Sequence, residues 1–176
     1  MIGGPLARFF LPSRDASSRF EPFYSLLMKT LLIIITAIVA LVCLYLAWIS
    51  WRAERPALGM EKGKLSTCAL HTNCVCSEYP GEAAIAPLSV GGPAQPMEAV
   101  AAAVIESGGK IDSQGTDYLR AVFRSRWFRF TDDVEFRLDN ESNVVHVRSA
   151  SRAGTSDLGV NRARVEKLRR LLEQKQ

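Results

Sequence analysis

The sequence predicts an α+β domain: an antiparallel sheet with two amphipathic helices, preceded by a single N-terminal transmembrane helix. Three observations carry this. Residues 30–51 form an apolar run without a charge, residues 118–149 alternate with a period of two, and two segments of helical period flank that alternation.

The apolar run, TLLIIITAIVALVCLYLAWISW, comes first. At about 1.5 Å per residue it matches the roughly 30 Å hydrocarbon core of a bilayer, and it lacks the polar stripe of a buried core helix. Tyr45, Trp48 and Trp51 crowd its C-terminal end and Lys29 and Arg52 bracket it, as expected of rings and cations at headgroup level. The run is too long, and its WISWRAE end too bulky, for a cleaved secretory signal, so residues 28–52 read as a retained anchor. Val42 before Cys43 fits a lipoprotein processing site poorly. Residues 1–27 form a polar tail; Met28-Lys29-Thr30 makes a normal short n-region, so Met28 is an alternative start.

Orientation is nearly tied by charge, with Arg8, Arg14, Arg19 and Lys29 before the run and Arg52, Arg55, Lys62 and Lys64 after it. A start at Met28 even leans toward a cytoplasmic domain. The net charge of +4 belongs wholly to the N-terminal part: residues 1–67 hold eight Lys/Arg and four Asp/Glu, and residues 68–176 hold fourteen of each. A domain of such balance is no nucleic-acid reader, which needs a concentrated positive surface.

Residues 53–67, rich in charge, Gly and Pro, read as a linker. Beyond them CALHTNCVC presents Cys68, His71, Cys74 and Cys76 within nine residues. Three readings stay open here: a zinc or copper site, though one short loop supplying every ligand is cramped; a Cys68–Cys74 disulfide in an oxidising compartment; or free thiols in a reducing one. Cys76 is the odd thiol of the disulfide reading. No cofactor fingerprint is present.

The soluble domain, residues 68–176, starts with a short extended segment over 83–90, broken by Pro87 and ended at Gly91. In PMEAVAAAVIESGG, Met97, Val100, Ala101, Val104 and Ile105 share one helical face, Pro96 suits a first helical position, and Gly108-Gly109 terminate the helix. Leu119, Ala121 and Phe123 then share one strand face, with Tyr118 and Val122 on the other. Val134, Phe136 and Leu138 alternate with Asp133, Glu135, Arg137 and Asp139. A turn over 139–142 returns the chain as a strand over 144–149, making a hairpin. Val165, Leu168, Leu171 and Leu172 mark a last amphipathic helix.

Between hairpin and last helix runs RSASRAGTSDLGVNR, residues 148–162, with three arginines and three serines. It has two readings. As framework, Arg148, Arg152 and Arg162 pair with Asp132, Asp133 and Asp157 in forked, charge-assisted hydrogen bonds. As a ligand site, Arg148, Ser149, Ser151, Arg152, Asp157, Asn161 and Arg162 converge on a small anion near a helix N-terminus, with Asp132 and Asp133 in support. Catalysis has less support. Adjacent Asp132 and Asp133 point to opposite faces of a strand, and His146 is the sole base available to a Ser-His-Asp set, with no nucleophile-elbow motif nearby.

Cys68 to Cys74 with Asn73, YLRAVFRSRWFRFTDD and RSASRAGTSDLGVNRAR together resemble the bacterial and plastid family catalogued as domain of unknown function fourteen ninety-nine, over most of residues 66–172. The resemblance implies an exported, lipid-anchored or membrane-attached protein without an established biochemical activity. It thereby favours an extracytoplasmic domain and the Cys68–Cys74 disulfide. Thr72 stands where the family usually has proline, and Cys76 where it usually has serine.

The resulting expectation is a non-enzymatic binding or accessory domain on the periplasmic side of the inner membrane. Its partners would be the bilayer through residues 30–51 and a small anion or protein at the arginine-rich loop. The alternatives are a hydrolase acting on an anionic or ester substrate and a metal-binding envelope protein.

Overall fold

The computed structural model describes residues 17–53, 58–68, 72–91, 95–126 and 128–175. Most of the polar tail and His71 of the cysteine cluster lie outside them. Helix α1 (Ser17–Arg52) contains a stretch, Phe23–Arg52, long and apolar enough to cross a membrane or to act as a signal sequence. Two of its hydroxyls are satisfied within the helix: those of Thr30 and Thr36 donate to the carbonyls of Leu26 (2.9 Å) and Leu32 (2.8 Å). An apolar medium requires this, since water is unavailable to pair them. At the C-terminal end Tyr45 stacks near Trp48 and the Arg52 guanidinium lies 4.8 Å from the Trp48 ring.

The second compact unit is the α+β domain. Its elements are a small hairpin, β1 (Met60–Glu61) and β2 (Lys64–Leu65), then β3 (Cys74–Cys76), β4 (Leu88–Ser89), α2 (Pro96–Glu106), β5 (Lys110–Gln114), β6 (Tyr118–Arg124), β7 (Thr131–Asp139), β8 (Val144–Ser151) and α3 (Val160–Glu173). The main sheet is antiparallel in the order β3-β8-β7-β6-β5, and β4 also pairs with β8.

Strand parity sorts the sheet into two faces. Val75, Leu119, Ala121, Phe123, Val134, Phe136, Val145 and Val147 face the helices and pack with Met97, Val100 and Val104 of α2 and Val165, Leu168 and Leu172 of α3. Each fully buried large side chain contributes about 1.5–3 kcal/mol. This core closes without any residue of α1, so the domain has what it needs to fold alone. On the opposite face the register sets Asp133 against Ala150, Glu135 against Arg148 and Arg137 against His146.

Two expectations are corrected. The linker over 53–67 is partly structured: Met60–Leu65 forms the β1–β2 hairpin, whose turn residues Lys62 and Gly63 both have positive φ (51° and 76°), as a tight two-residue hairpin turn demands. Leu65 is fully buried and β2 packs on β7 and β8, because the charged sheet face needs a cover. Strand β8 also runs on to Ser151, so the first part of the polar stretch is strand instead of loop; Asp132 and Cys74 supply its partners at Ser151 and Ala150.

The chain leaving α2 passes so close to the core that a β-carbon on Gly109 would lie 2.6 Å from the Phe123 ring and 2.8 Å from Val104. Gly109→Ala is therefore expected to destabilise the domain by about 1–3 kcal/mol, read as a lower urea midpoint at unchanged slope. An unaffected midpoint would mean that Phe123 swings aside freely.

Candidate functional site

The polar groups of the domain fall into three sets. The first is the charged sheet face. Arg152 grips Asp133 with two bonds, Nε and Nη2 to the two carboxylate oxygens, both 2.7 Å. Glu135, fully buried, accepts from Arg148 Nη1 (3.0 Å), the Tyr118 hydroxyl (2.7 Å) and the Gly59 amide (2.7 Å). Burial, and then the adjacent Glu135 carboxylate, push the Tyr118 phenol well above its ordinary range. Arg137 holds Glu78 at 2.6 and 2.9 Å, and Glu78 in turn accepts from the Leu65 amide. The strap carrying β1 and β2 is thus tied to the sheet by two carboxylates.

At the end of this face lies a serine–histidine contact. Ser77 Oγ is 3.1 Å from His146 Nδ1, and His146 Nε2 is 3.6 Å from Asp139. The Ser77 hydroxyl also accepts from the Val147 amide (2.9 Å), while its own amide donates to the Val147 carbonyl (3.0 Å). A nucleophilic serine usually has its own or a neighbouring amide aimed at the developing oxyanion. Here the Ser77 amide is consumed by the sheet. Asp139 accepts from the Ser142 and Glu141 amides of the β7–β8 turn, which holds its carboxyl below the ordinary range.

The second set lies where β8 meets α3. Asn161, in the first turn of α3 and fully buried, accepts from Ser149 Oγ (2.6 Å) and Arg164 Nη1 (2.5 Å) and donates to the Asn73 carbonyl (2.9 Å) and Ser151 Oγ (3.0 Å). Arg164 continues to Asp132 and lies 4.8 Å from the Phe123 ring. Asn73 donates to the Gly154 carbonyl (2.6 Å). Asp157 accepts from the amides of Gly159 (3.0 Å) and Asn161 (2.6 Å), which occupies the helix N-terminus with the protein's own carboxylate.

The third set is a cavity of about 500 Å³ beside the Cys68–Cys74 disulfide, lined by Thr72, Pro80, Glu82, Asp157 and Arg162. Asn73 and Ser77 exchange bonds with β8, so the intervening odd-phase residues Cys74 and Cys76 turn their peptide groups away from it. Those of Cys76 meet the Ala83 carbonyl and the Ile85 amide, and Cys74 is one of the residues lining the cavity. Arg162 is exposed and donates through Nη2 to the carbonyls of Glu82 (3.1 Å) and Ala84 (3.0 Å). It makes no ion pair among the described residues.

Residues 64–172 match the family model described as Protein of unknown function (DUF1499). The chain belongs to this family. No curated protein and no solved structure is significantly similar to it. Within this DUF1499 domain, the expected site residues separate. Arg148 and Arg152 serve the charged face; Ser149, Ser151 and Asn161 form one network; Asp157 and Arg162 line the cavity. Of the pairings expected for a framework, Arg152–Asp133 forms. Arg148 takes Glu135 and Asp132 takes Arg164 instead, because strand parity puts Asp132 on the helix side and Arg148 on the other.

Residues 78, 118, 135 and 164 were missed by sequence reasoning. A signal existed for two of them: a turn over 140–143 sets Glu135 opposite Arg148, and Arg164 follows Asn161 by three residues on one helix face. With both sulfurs of Cys68 and Cys74 in a disulfide, the metal reading loses two of its ligands. Among the described residues no cluster of His, Cys, Asp or Glu is arranged to hold a metal; His71 lies outside them. Cys76 is buried and unpaired, and burial pushes its thiol up.

Two outcomes follow for the DUF1499 domain. Asn161→Ala removes four interior hydrogen bonds at once, those with Asn73, Ser149, Ser151 and Arg164, and is expected to cost about 2–4 kcal/mol, against little for Arg162→Ala; thermal melts of both variants check the contrast. In the unreduced domain lacking α1, alkylation of Cys76 by a maleimide is expected only after denaturation, as mass spectrometry reads directly.

Proposed function

We propose that this chain is a non-enzymatic binding or accessory module anchored in the inner membrane by α1, with its domain in the periplasm and Arg162 as the contact point for a small anion or a carboxylate on a protein partner. One observation carries the reading. Arg162 is exposed and lines a cavity, and its partners among the described residues are backbone carbonyls, whereas the other arginines of the 148–162 stretch are spent on Asp133 and Glu135. The disulfide supports an oxidising compartment, since such bonds seldom persist in the cytosol. The apolar length of α1 supports the anchor.

Arg162 also acts as a clamp. With Arg169, which donates to the Pro87 and Ala86 carbonyls, it pins the segment before β4 against α3. A ligand at Arg162 would therefore stabilise that segment as well.

The alternative reading, a hydrolase, draws on the Ser77–His146 contact. The committed Ser77 amide weighs against it.

Two fusions of the full chain and the isolated domain together provide the test. A C-terminal alkaline phosphatase fusion is expected to be active and a C-terminal green fluorescent fusion dark. The isolated domain is expected to melt higher in acetate or phosphate than in chloride of equal ionic strength, and Arg162→Gln to abolish that difference. A fluorophosphonate probe is expected to leave Ser77 unlabelled. Fluorescence from the second fusion would overturn the periplasmic placement, equal melting in all anions would remove the Arg162 site, and labelling lost in Ser77→Ala would establish the hydrolase.

A further inference from the structure

The end of the sheet where β6 turns into β7 and β8 leaves for α3 carries a surface that the ligand reading does not use. From Arg124 to Thr131 the chain holds Arg124, Arg126 and Arg129 and no acidic residue. The turn is closed by its own bonds, the Ser125 amide to the Phe130 carbonyl and the Phe130 amide to Ser125 Oγ, both 2.9 Å. Arg124 and Arg129 are exposed there, and the half-exposed rings of Phe128 and Phe130 lie 6.0 Å apart.

The neighbouring loop after β8 is tied to this turn by the Arg152 amide, which donates to the Thr131 carbonyl (3.0 Å). It presents Leu158 with 96% of its surface exposed and Val160 with 50%. Phe130 and Val160 line one concavity together with Leu46 and Ile49 near the end of α1, and Asp132 and Asp157 are its acidic members. Leu158 has φ of 54°, a conformation that a branched apolar side chain gains nothing by adopting in water. Asp157, bonded to the amides of Gly159 and Asn161, fixes the backbone on either side of it.

We propose that this end of the domain docks on the surface of an anionic phospholipid bilayer, with Leu158, Val160 and the two phenylalanines entering the headgroup–acyl boundary while Arg124 and Arg129 meet lipid phosphates. Apolar side chains ringed by arginines are the composition of an interfacial contact, where burial and charge attraction add. Only residues 53–58 separate the end of α1 from the strap at Gly59, a span of at most about 25 Å, so a bilayer that holds α1 is always within reach at high effective concentration. The inference rests on the anchored reading for its place in the cell, but the chemistry of the surface stands apart from it.

The test uses residues 58–176, whose core closes without α1, and vesicles of phosphatidylcholine alone or mixed with phosphatidylglycerol. Co-sedimentation is expected with the mixed vesicles and not with the neutral ones, weakening as salt is raised. Arg124→Glu and Arg129→Glu are each expected to lower partitioning at least about fivefold. Leu158→Asn is expected to lower it about tenfold with an unchanged or higher melting temperature, because asparagine tolerates positive φ. Equal partitioning to both vesicles, none to either, or indifference to Leu158→Asn would overturn the proposal. Carbonate extraction of the full chain reads the anchor separately. Full chain retained in the membrane while the isolated domain ignores vesicles removes the docking surface alone; full chain released while the domain still binds removes the anchor alone.

Discussion

The carboxylate of Glu135 has no access to water, and the domain is organised around that fact. An unpaired buried charge would cost several kcal/mol, so three separate elements deliver donors to it: β8 through Arg148, β6 through Tyr118, and the strap before β1 through the Gly59 amide. The strap exists as an ordered piece because the charged face beneath it needs a lid and offers fixed acceptors. Asp133 and Glu78 repeat the arrangement on either side, each matched to a forked arginine. The sheet therefore has an apolar face sealed by helices and an ionic face sealed by the chain's own leader segment. Losing a strap contact would expose groups that prefer water, so the ionic face is expected to open more readily than the apolar one.

Much of this was legible in the sequence. The helices α2 and α3, the strands β6 and β7, and β8 as far as Ser149 follow from spacing alone, because one-sided burial leaves a clean period in Leu119, Ala121 and Phe123, or in Val165, Leu168 and Leu172. The turn at 139–142 was equally plain. Strand β3 was not, since three residues cannot display a period, whereas β4 lies inside the extended segment read over 83–90. The strap was hidden for a different reason: its composition is that of a linker, and only the burial of Leu65 and the reach of Gly59 to Glu135 make it part of the domain.

The polar stretch 148–162 stands out in the sequence and has two readings there, a framework of Arg–Asp pairs or an anion site; in the structure its residues are divided by strand parity and helix phase. Ser149 turns inward to Asn161 while Arg148, one residue earlier, turns outward to Glu135. Asn161 functions as a four-way joint that fastens α3, β8 and the chain entering β3. That density of hydrogen bonds explains the polarity of the stretch without any ligand, and it isolates Arg162 as the member whose guanidinium is not matched by a carboxylate among the described residues. A sequence can list such residues; which way each one faces depends on register, which a single turn fixes for the whole hairpin.

The burial of Cys76, two residues beyond a disulfide partner on the same strand, bears on biogenesis. Three sulfurs in one short segment allow three pairings, and two of these would consume Cys76. Either mispairing would pull that residue out of the sheltered place it takes once β3 lies along β8. Burying the competing thiol in the assembled sheet favours the observed bond, and any wrong bond formed earlier would have to be reshuffled before this edge zips. Maturation of the domain should accordingly be sensitive to thiol–disulfide isomerases rather than to oxidant alone.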